Sequence, residues 1–289
     1  MIVVTGATGQ LGRLIVTRLV RRVPAQQVGV SVRDGSKATD LEALGVRVRQ
    51  GDFNAPETLR YAFEGAAQVL VVSSNARARG GDLLAQHHAA IDAARAVGAR
   101  RVVYTSHMGA KANSAFPPML DHAATGGMLR QSGIAWTALR HGFCAASGIA
   151  LMGDAMETGV LEAPADGKVS WTAHANLAEA AAILLTDEGR YDGPTPPLTG
   201  AEALDLADLA GIASELLHRP IDRRTIADAD LQARMVARGA PRTVVDIALG
   251  LYAASRNGEF AMVDPTLEQL LGRRPASVQD LLATKMHGL

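Results

Sequence analysis

A chain of 289 residues that is 48% hydrophobic and 20% charged can bury a sizeable core, which excludes a disordered chain and leaves room for one large domain, or a large and a small one. Its formal net charge of zero supplies no basic excess, so nucleic acid is not expected as the main ligand, while a local basic patch stays open. The single cysteine, Cys144, rules out an internal disulfide and a cysteine zinc site, suits a reducing cytoplasm, and reads as a small buried hydrophobe.

The chain opens on a short apolar run, Ile2 to Thr5, with neither the basic start nor the long apolar stretch of a signal peptide. No segment of about 18 uncharged apolar residues follows, so a cytoplasmic protein with no membrane span is expected. Further valine-rich runs come at Val28 to Val32, Val46 to Arg49, Val69 to Val72, Val102 to Thr105 and Ala135 to Leu139. Runs this short and this apolar predict strands buried on both faces of a parallel sheet. Between them, 3.6-residue periodicity predicts helices over Gln10 to Arg22, Lys37 to Leu44, Pro56 to Glu64, Leu83 to Val97 and Asp121 to Ser132. Pro56 stands where a helix begins, and Gly45, Gly98 and Gly133 stand where helical segments end in a left-handed cap. The alternation predicts an α/β protein with a doubly wound parallel sheet of Rossmann type over residues 1–145. Beyond that the rhythm breaks into Gly- and Pro-rich punctuation with helical patterns at Asn176 to Leu185, Leu204 to Leu217, Asp230 to Arg238 and Thr243 to Ala253. Residues 146–289 are therefore expected to form a smaller mixed α/β substrate lobe that shares elements with the first domain.

The strongest motif lies between the first strand and the first helix: Thr5-Gly6-Ala7-Thr8-Gly9-Gln10-Leu11-Gly12. Gly6 permits a tight turn, Gly9 lets a pyrophosphate approach the backbone, and Gly12 lets helix and strand pack closely. The helix start then offers free N–H groups and a partial positive charge to a diphosphate. After the second strand come Arg33, Asp34 and Lys37. A guanidinium there grips a ribose 2′-phosphate, so NADPH is expected; Asp34 keeps NADH open as the less favoured cofactor, and Lys37 is either a second cation for the phosphate or an ordinary surface lysine. Asp52 either accepts the adenine amino group or caps the helix at Pro56. Ser73, Ser74 and Asn75 are the small polar residues expected beside ribose and pyrophosphate.

The glycine turn, Arg33, and the segments Tyr104-Thr105-Ser106 and Leu139-Arg140-His141-Gly142-Phe143 resemble the NmrA-like atypical short-chain dehydrogenases, most closely the bacterial NADPH:quinone oxidoreductases. The resemblance runs nearly end to end, through Leu271-Gly272-Arg273-Arg274-Pro275. It implies one NADPH per chain held by residues matching Gly6 to Leu11, Arg33, Ser73 to Asn75, and Thr137, Ala138, Leu139, Arg140, His141 and Gly142. It further implies hydride transfer to a quinone-like small molecule in a cleft between the lobes, and leaves a homodimer open.

The proton-handling residues are less legible. Alcohol-oxidising relatives need a tyrosine and a lysine four residues on; here the residues four after Tyr61, Tyr104, Tyr191 and Tyr252 are Gly65, Met108, Thr195 and Arg256. In the resembled family a histidine is followed one turn later by a lysine; here His122 is present but Gly126 and Gly127 stand where Glu-Lys is expected. His122 is the proton donor by residue type, or a helix-surface histidine. Ser106 either bonds a substrate carbonyl or shapes a turn, His107 either lines the substrate site or sits in a loop, and Lys111 is a candidate stand-in cation. Phe143 either walls the nicotinamide or plugs the core, and His87-His88 lack the third ligand of a zinc site. Two readings remain: a reductase of quinones or similar electron-poor carbonyl compounds, and a non-catalytic NADP(H) sensor acting through a protein partner.

Overall fold

The computed structural model describes residues 1–287. In chain order the first half gives β1 (Ile2–Thr5), α1 (Gln10–Leu19), β2 (Val28–Val32), α2 (Thr39–Glu42), β3 (Arg47–Gln50), α3 (Pro56–Phe63), β4 (Gln68–Val71), α4 (Leu83–Ala96), β5 (Arg101–His107), α5 (Pro117–Gln131) and β6 (Ala135–His141). Then follow β7 (Phe143–Cys144), α6 (Ala145–Leu151), α7 (Ala155–Thr158), β8 (Val160–Pro164), β9 (Trp171–Thr172), α8 (His174–Thr186), β10 (Gly193–Pro194), α9 (Leu206–Leu217), β11 (Asp222–Ile226), α10 (Asp228–Ala237), α11 (Arg242–Arg256), α12 (Thr266–Leu271) and α13 (Val278–His287). No helix among the described residues is long and apolar enough to cross a membrane.

Two compact units interleave along this chain. Among the described residues, the first takes residues 1–107, 121–140 and 174–196; the second takes 108–120, 141–173 and those from 197 onward. The division thus falls at several points rather than at one cut near residue 145.

The first unit is built on a seven-stranded sheet in the order β3-β2-β1-β4-β5-β6-β10. Its registered pairs run parallel, Ile2 beside both Val28 and Gln68. This is the doubly wound order, reversing direction between β1 and β4, and the carboxyl ends of those strands open the crevice where such sheets hold ligands. The strands form because both of their faces are covered: every side chain of β1, β2 and β4 is buried. α1 lays Gly12, Ile15, Val16 and Leu19 inward, the spacing of one helical stripe. α8 buries eight of its 13 residues, which explains its nearly uninterrupted apolar sequence. Gly45, Gly98 and Gly133 end their helical segments at φ of +81°, +73° and +74°, as their positions required.

The second unit has its own apolar core around four rings, Phe116, Phe143, Trp171 and Phe260, with neighbouring centroids 5.2 to 5.8 Å apart. Two small parallel pairs, β7 with β9 and β8 with β11, carry it, and α9 begins at a capping box between Asp205 and Asp208.

α5 contains a test of local energetics. Gly126 and Gly127 lie inside it, and a Cβ added at either would meet no atom within 4 Å. Gly126→Ala and Gly127→Ala should each stabilise by about 0.5–1 kcal/mol, because alanine has less freedom to lose on folding. The double variant should melt a few degrees higher by calorimetry; an unchanged or lower Tm would show that the glycines serve the fold.

Candidate cofactor and substrate site

The turn after β1 is shaped by what its glycines lack. Gly6 sits at φ +59°, and the amide of Gly9 donates back to its carbonyl at 2.9 Å. A Cβ on Gly12 would lie 2.4 Å from that same carbonyl oxygen, so only glycine lets α1 start this close to the turn. Ala7 is buried, Thr8 and Leu11 are partly buried, and Gly6, Gly9 and Gln10 are exposed. Gly9 is the N-cap of α1 and supplies no side-chain acceptor, and no acidic residue lies in the first turn. The first amides of α1 therefore face outward with no internal anion to satisfy them, a cradle that fits a diphosphate.

Arg33 leaves β2 exposed, and among the described residues its guanidinium holds no ion pair or hydrogen bond. The neighbouring charges are otherwise engaged. Asp34 accepts from the amide and hydroxyl of Ser36, which hold its carboxyl below the usual range, and Lys37 lies 3.7 Å from it. Asp34 thus caps its own short helical turn, a role distinct from gripping a ribose. Arg13 of α1 reaches Asp40 and the carbonyl of Lys37, tying this segment to the glycine turn's helix. Asp52 accepts from the amide of Asn54 at 3.0 Å; the N-cap of α3 is Ala55, so Asp52 is not that helix's cap.

The exit of β4 is held more tightly than its sequence suggests. The amide of Val72 donates to the Thr5 hydroxyl (3.0 Å), that of Ser73 to the Thr105 hydroxyl (2.8 Å), that of Ser74 to Nε2 of His87 (3.1 Å), and that of Ala76 to the Ser74 hydroxyl (3.1 Å). With those amides engaged, the segment can offer a ligand carbonyl oxygens and the exposed Asn75 side chain. Next along, Arg77 forms a two-pronged ion pair with the buried carboxylate of Asp121 on α5.

Beyond β5 lies a group of rings. Tyr104 is fully buried, and its hydroxyl lies 2.7 Å from Nδ1 of His122 on α5. The His107 ring lies 6.0 Å from that of His122. Ser106 is buried, and its hydroxyl has no hydrogen-bond partner among the described residues. His122 is partly buried, and burial pushes its pKa down to about 4 against a smaller upward pull from Asp121. Burial likewise lowers His87 to about 4, with His122 adding to the shift. Burial raises Tyr104 well above its ordinary range. Burial therefore favours the neutral ring of His122 near pH 7, in which it is a hydrogen-bonding group.

The other expected residues have partners of their own. Thr137 gives its hydroxyl to the Tyr191 carbonyl and accepts from Arg101, while Ala138 and Leu139 are enclosed in the sheet's covered faces. The Arg140 amide donates to Thr195. In the second unit His141 is buried, Gly142 donates to the Leu198 carbonyl, and a Cβ on Gly142 would strike Thr172 at 2.3 Å. Phe143 is one of the four core rings there, and Lys111 is committed to Glu259 at 3.4 Å. Cys144 is partly buried with its thiol pKa raised by burial, as a packed thiol should be. From the sequence alone, two members of the ring group are weighed only for other roles: Tyr104, discounted for lack of a lysine four residues on, and His87, considered as a metal ligand.

Residues 6–188 match the family described as NAD(P)H-binding. Quinone oxidoreductase 2 of Escherichia coli is 33% identical over 94% of this chain and 94% of its own. An NAD(P)H azoreductase of Xenophilus azovorans is 30% identical over 94% and 93%. The crystal structure of an E. coli NADPH-dependent quinone oxidoreductase complexed with NADPH superposes with a TM-score of 0.91 at 31% identity, covering 99% of this chain and 100% of that one.

The two lowered histidines set a pH dependence. An unfolded chain takes up protons on His87 and His122 near pH 6.5, whereas the native rings resist until about pH 4. Stability is therefore full above pH 6.5 and falls as pH drops toward 4, by about 2 kcal/mol per ring between pH 7 and 5. Urea unfolding midpoints at pH 7, 6 and 5 should fall progressively, with a shallower fall in His122→Asn; a level midpoint across that range would refute the assignment.

Proposed function

The chain belongs to the NAD(P)H-binding family, in keeping with the NmrA-like resemblance of its motifs, and is an NAD(P)H-dependent oxidoreductase; from that premise we propose that it uses NADPH to reduce quinones or similarly electron-poor conjugated carbonyl compounds. The observation that carries the cofactor half is the open start of α1, with Gly12 seated against the Gly6 carbonyl and no acidic residue in the helix's first turn. The unengaged guanidinium of Arg33 supports the phosphorylated ribose over the plain one. In this reading Gly6 to Gly12 hold the diphosphate, Arg33 the 2′-phosphate, and the carbonyls of Ser73 and Ser74 with the Asn75 side chain border the ribose. Lys37 adds charge beside Arg33, and Asp52 faces the adenine end.

The substrate half rests on the similarity to quinone and azo reductases and on the ring group at the end of β5. When bound, reduced nicotinamide supplies a hydride to the acceptor. The chain's own part is to hold the acceptor and stabilise the oxyanion that develops on it. In this reading the single Tyr104 proton goes to Nδ1 of His122 at 2.7 Å rather than to the Ser73 hydroxyl at 3.4 Å, and the neutral ring keeps its own proton on Nε2, a donor that needs no ionisation to act. The unpartnered Ser106 hydroxyl is the second donor of the proposed site, with His107 beside it. A quinone makes modest demands on such donors, since its reduced oxygen is a stabilised phenolate; this fits a site without the expected lysine.

Two experiments check this. Arg33→Ser should raise KM for NADPH by about 10- to 100-fold, the worth of a charge-assisted phosphate contact, and leave KM for NADH nearly unchanged; equal changes for both would remove Arg33 from the cofactor. NADPH consumption with p-benzoquinone should be rapid in the wild type. His122→Ala should slow a methyl-rich, less electron-poor quinone about tenfold or more, and benzoquinone less; loss of neither rate would exclude His122, and no wild-type turnover with any quinone would overturn the substrate reading.

A further inference from the structure

His87 of α4 is fully buried, and neither a zinc site nor a surface role describes it. Its Nε2 lies 3.1 Å from the backbone nitrogen of Ser74. A backbone amide only donates, so Nε2 must accept and carries no proton. The ring's one proton is then on Nδ1, 2.9 Å from the Thr125 hydroxyl, and that hydroxyl in turn donates to the Asp121 carbonyl at 2.8 Å. Every bond of this chain has its direction fixed by the first. The Tyr104 ring stands edge-on to the imidazole at 5.2 Å, closing it off. The neighbouring Gln86 takes the Ser74 hydroxyl at 2.5 Å and donates to Asn54 at 2.8 Å. Ser74 is thereby gripped at both its amide and its side chain by adjacent residues of α4.

We propose that His87 is a positioning residue for the cofactor: through the Ser74 amide it sets the path of residues 73–75, so that their carbonyls and the Asn75 side chain stand where the dinucleotide passes. The proposal rests on the reading that this segment borders NADPH. It assigns His87 a role in cofactor affinity and none in the chemical step.

The test uses shape. A glutamine at 87 places its Oε1 near the position of the imidazole Nε2 and still accepts from Ser74; an asparagine is shorter and reaches only the Nδ1 position. Calorimetric titration of the full chain with NADPH should give His87→Gln within about threefold of wild type and His87→Asn at least tenfold weaker. At saturating NADPH, kcat with benzoquinone should be unchanged in both. Equal affinity in all three proteins, or equal loss in both variants, overturns the proposal. Should His87→Asn fail to fold, Thr125→Val replaces it: Nδ1–H then loses its acceptor and the ring its second anchor, and NADPH should bind at least threefold more weakly with kcat retained; unchanged affinity there also overturns the proposal. Asn75→Trp separates this from the reading beneath it. If Asn75→Trp weakens NADPH and His87→Asn does not, the positioning role alone fails; if wild type binds NADPH and Asn75→Trp leaves that binding intact, the segment does not border the cofactor and both fall.

Discussion

The first unit depends on one close approach, the 2.4 Å that would separate a side chain at Gly12 from the carbonyl of Gly6. Because that side chain is absent, α1 begins directly over the end of β1, and its inward stripe meets the sheet without a gap. The same seat leaves the helix's first amides facing outward at the point where strand order reverses. Packing and binding are thus satisfied by one geometric requirement, and a residue larger than glycine there would disturb both.

Around that seat the exits of β1, β4 and β5 are laced together by side chains that accept from successive main-chain amides. Thr5 and Thr105, each at or near the end of its strand, take the amides of Val72 and Ser73, and His87 takes the next. Arg77 then fixes the following turn to Asp121 of α5. Burial favours the neutral form of both histidines of this region near pH 7, and the bonds at the exit of β4 have their directions set by main-chain amides, which cannot accept. A region built this way keeps its shape when a charged ligand arrives, because no group in it need gain or lose a proton.

The strands and helices of the first unit were legible because valine-rich runs alternate with amphipathic stretches and end at glycines that need a left-handed backbone. Boundaries moved by a residue or two, and α5 starts earlier than expected, at Pro117, because a proline suits a first helical turn. The second unit was not legible to the same degree. β11 reads Asp-Arg-Arg-Thr-Ile, a polar stretch that becomes a strand only by pairing with β8, some sixty residues earlier. The glycine turn and Arg33 announced themselves locally. The pairing of Tyr104 with His122 did not, since it joins a strand to a helix 18 residues away and leaves no spacing to recognise. Thr137, Ala138 and Leu139, which the family resemblance marks for the cofactor, commit their side chains to Arg101, Tyr191 and the core, which no local pattern announced.

The interleaving of the two units has a consequence for how the protein comes into being. α8, which packs on α1, and β10, which pairs with β6, are drawn from residues 174–196, while strands β1 to β6 have all been made by residue 141. Gln68 waits for the carbonyl of Leu185, and Arg100 for Glu188. On a ribosome the nearly finished sheet would emerge with one edge bare and the outer face of α1 uncovered until some fifty more residues had followed, an interval in which that surface invites the wrong neighbour. Nascent chains stalled just before α8 should be the point at which this protein leans on a chaperone most.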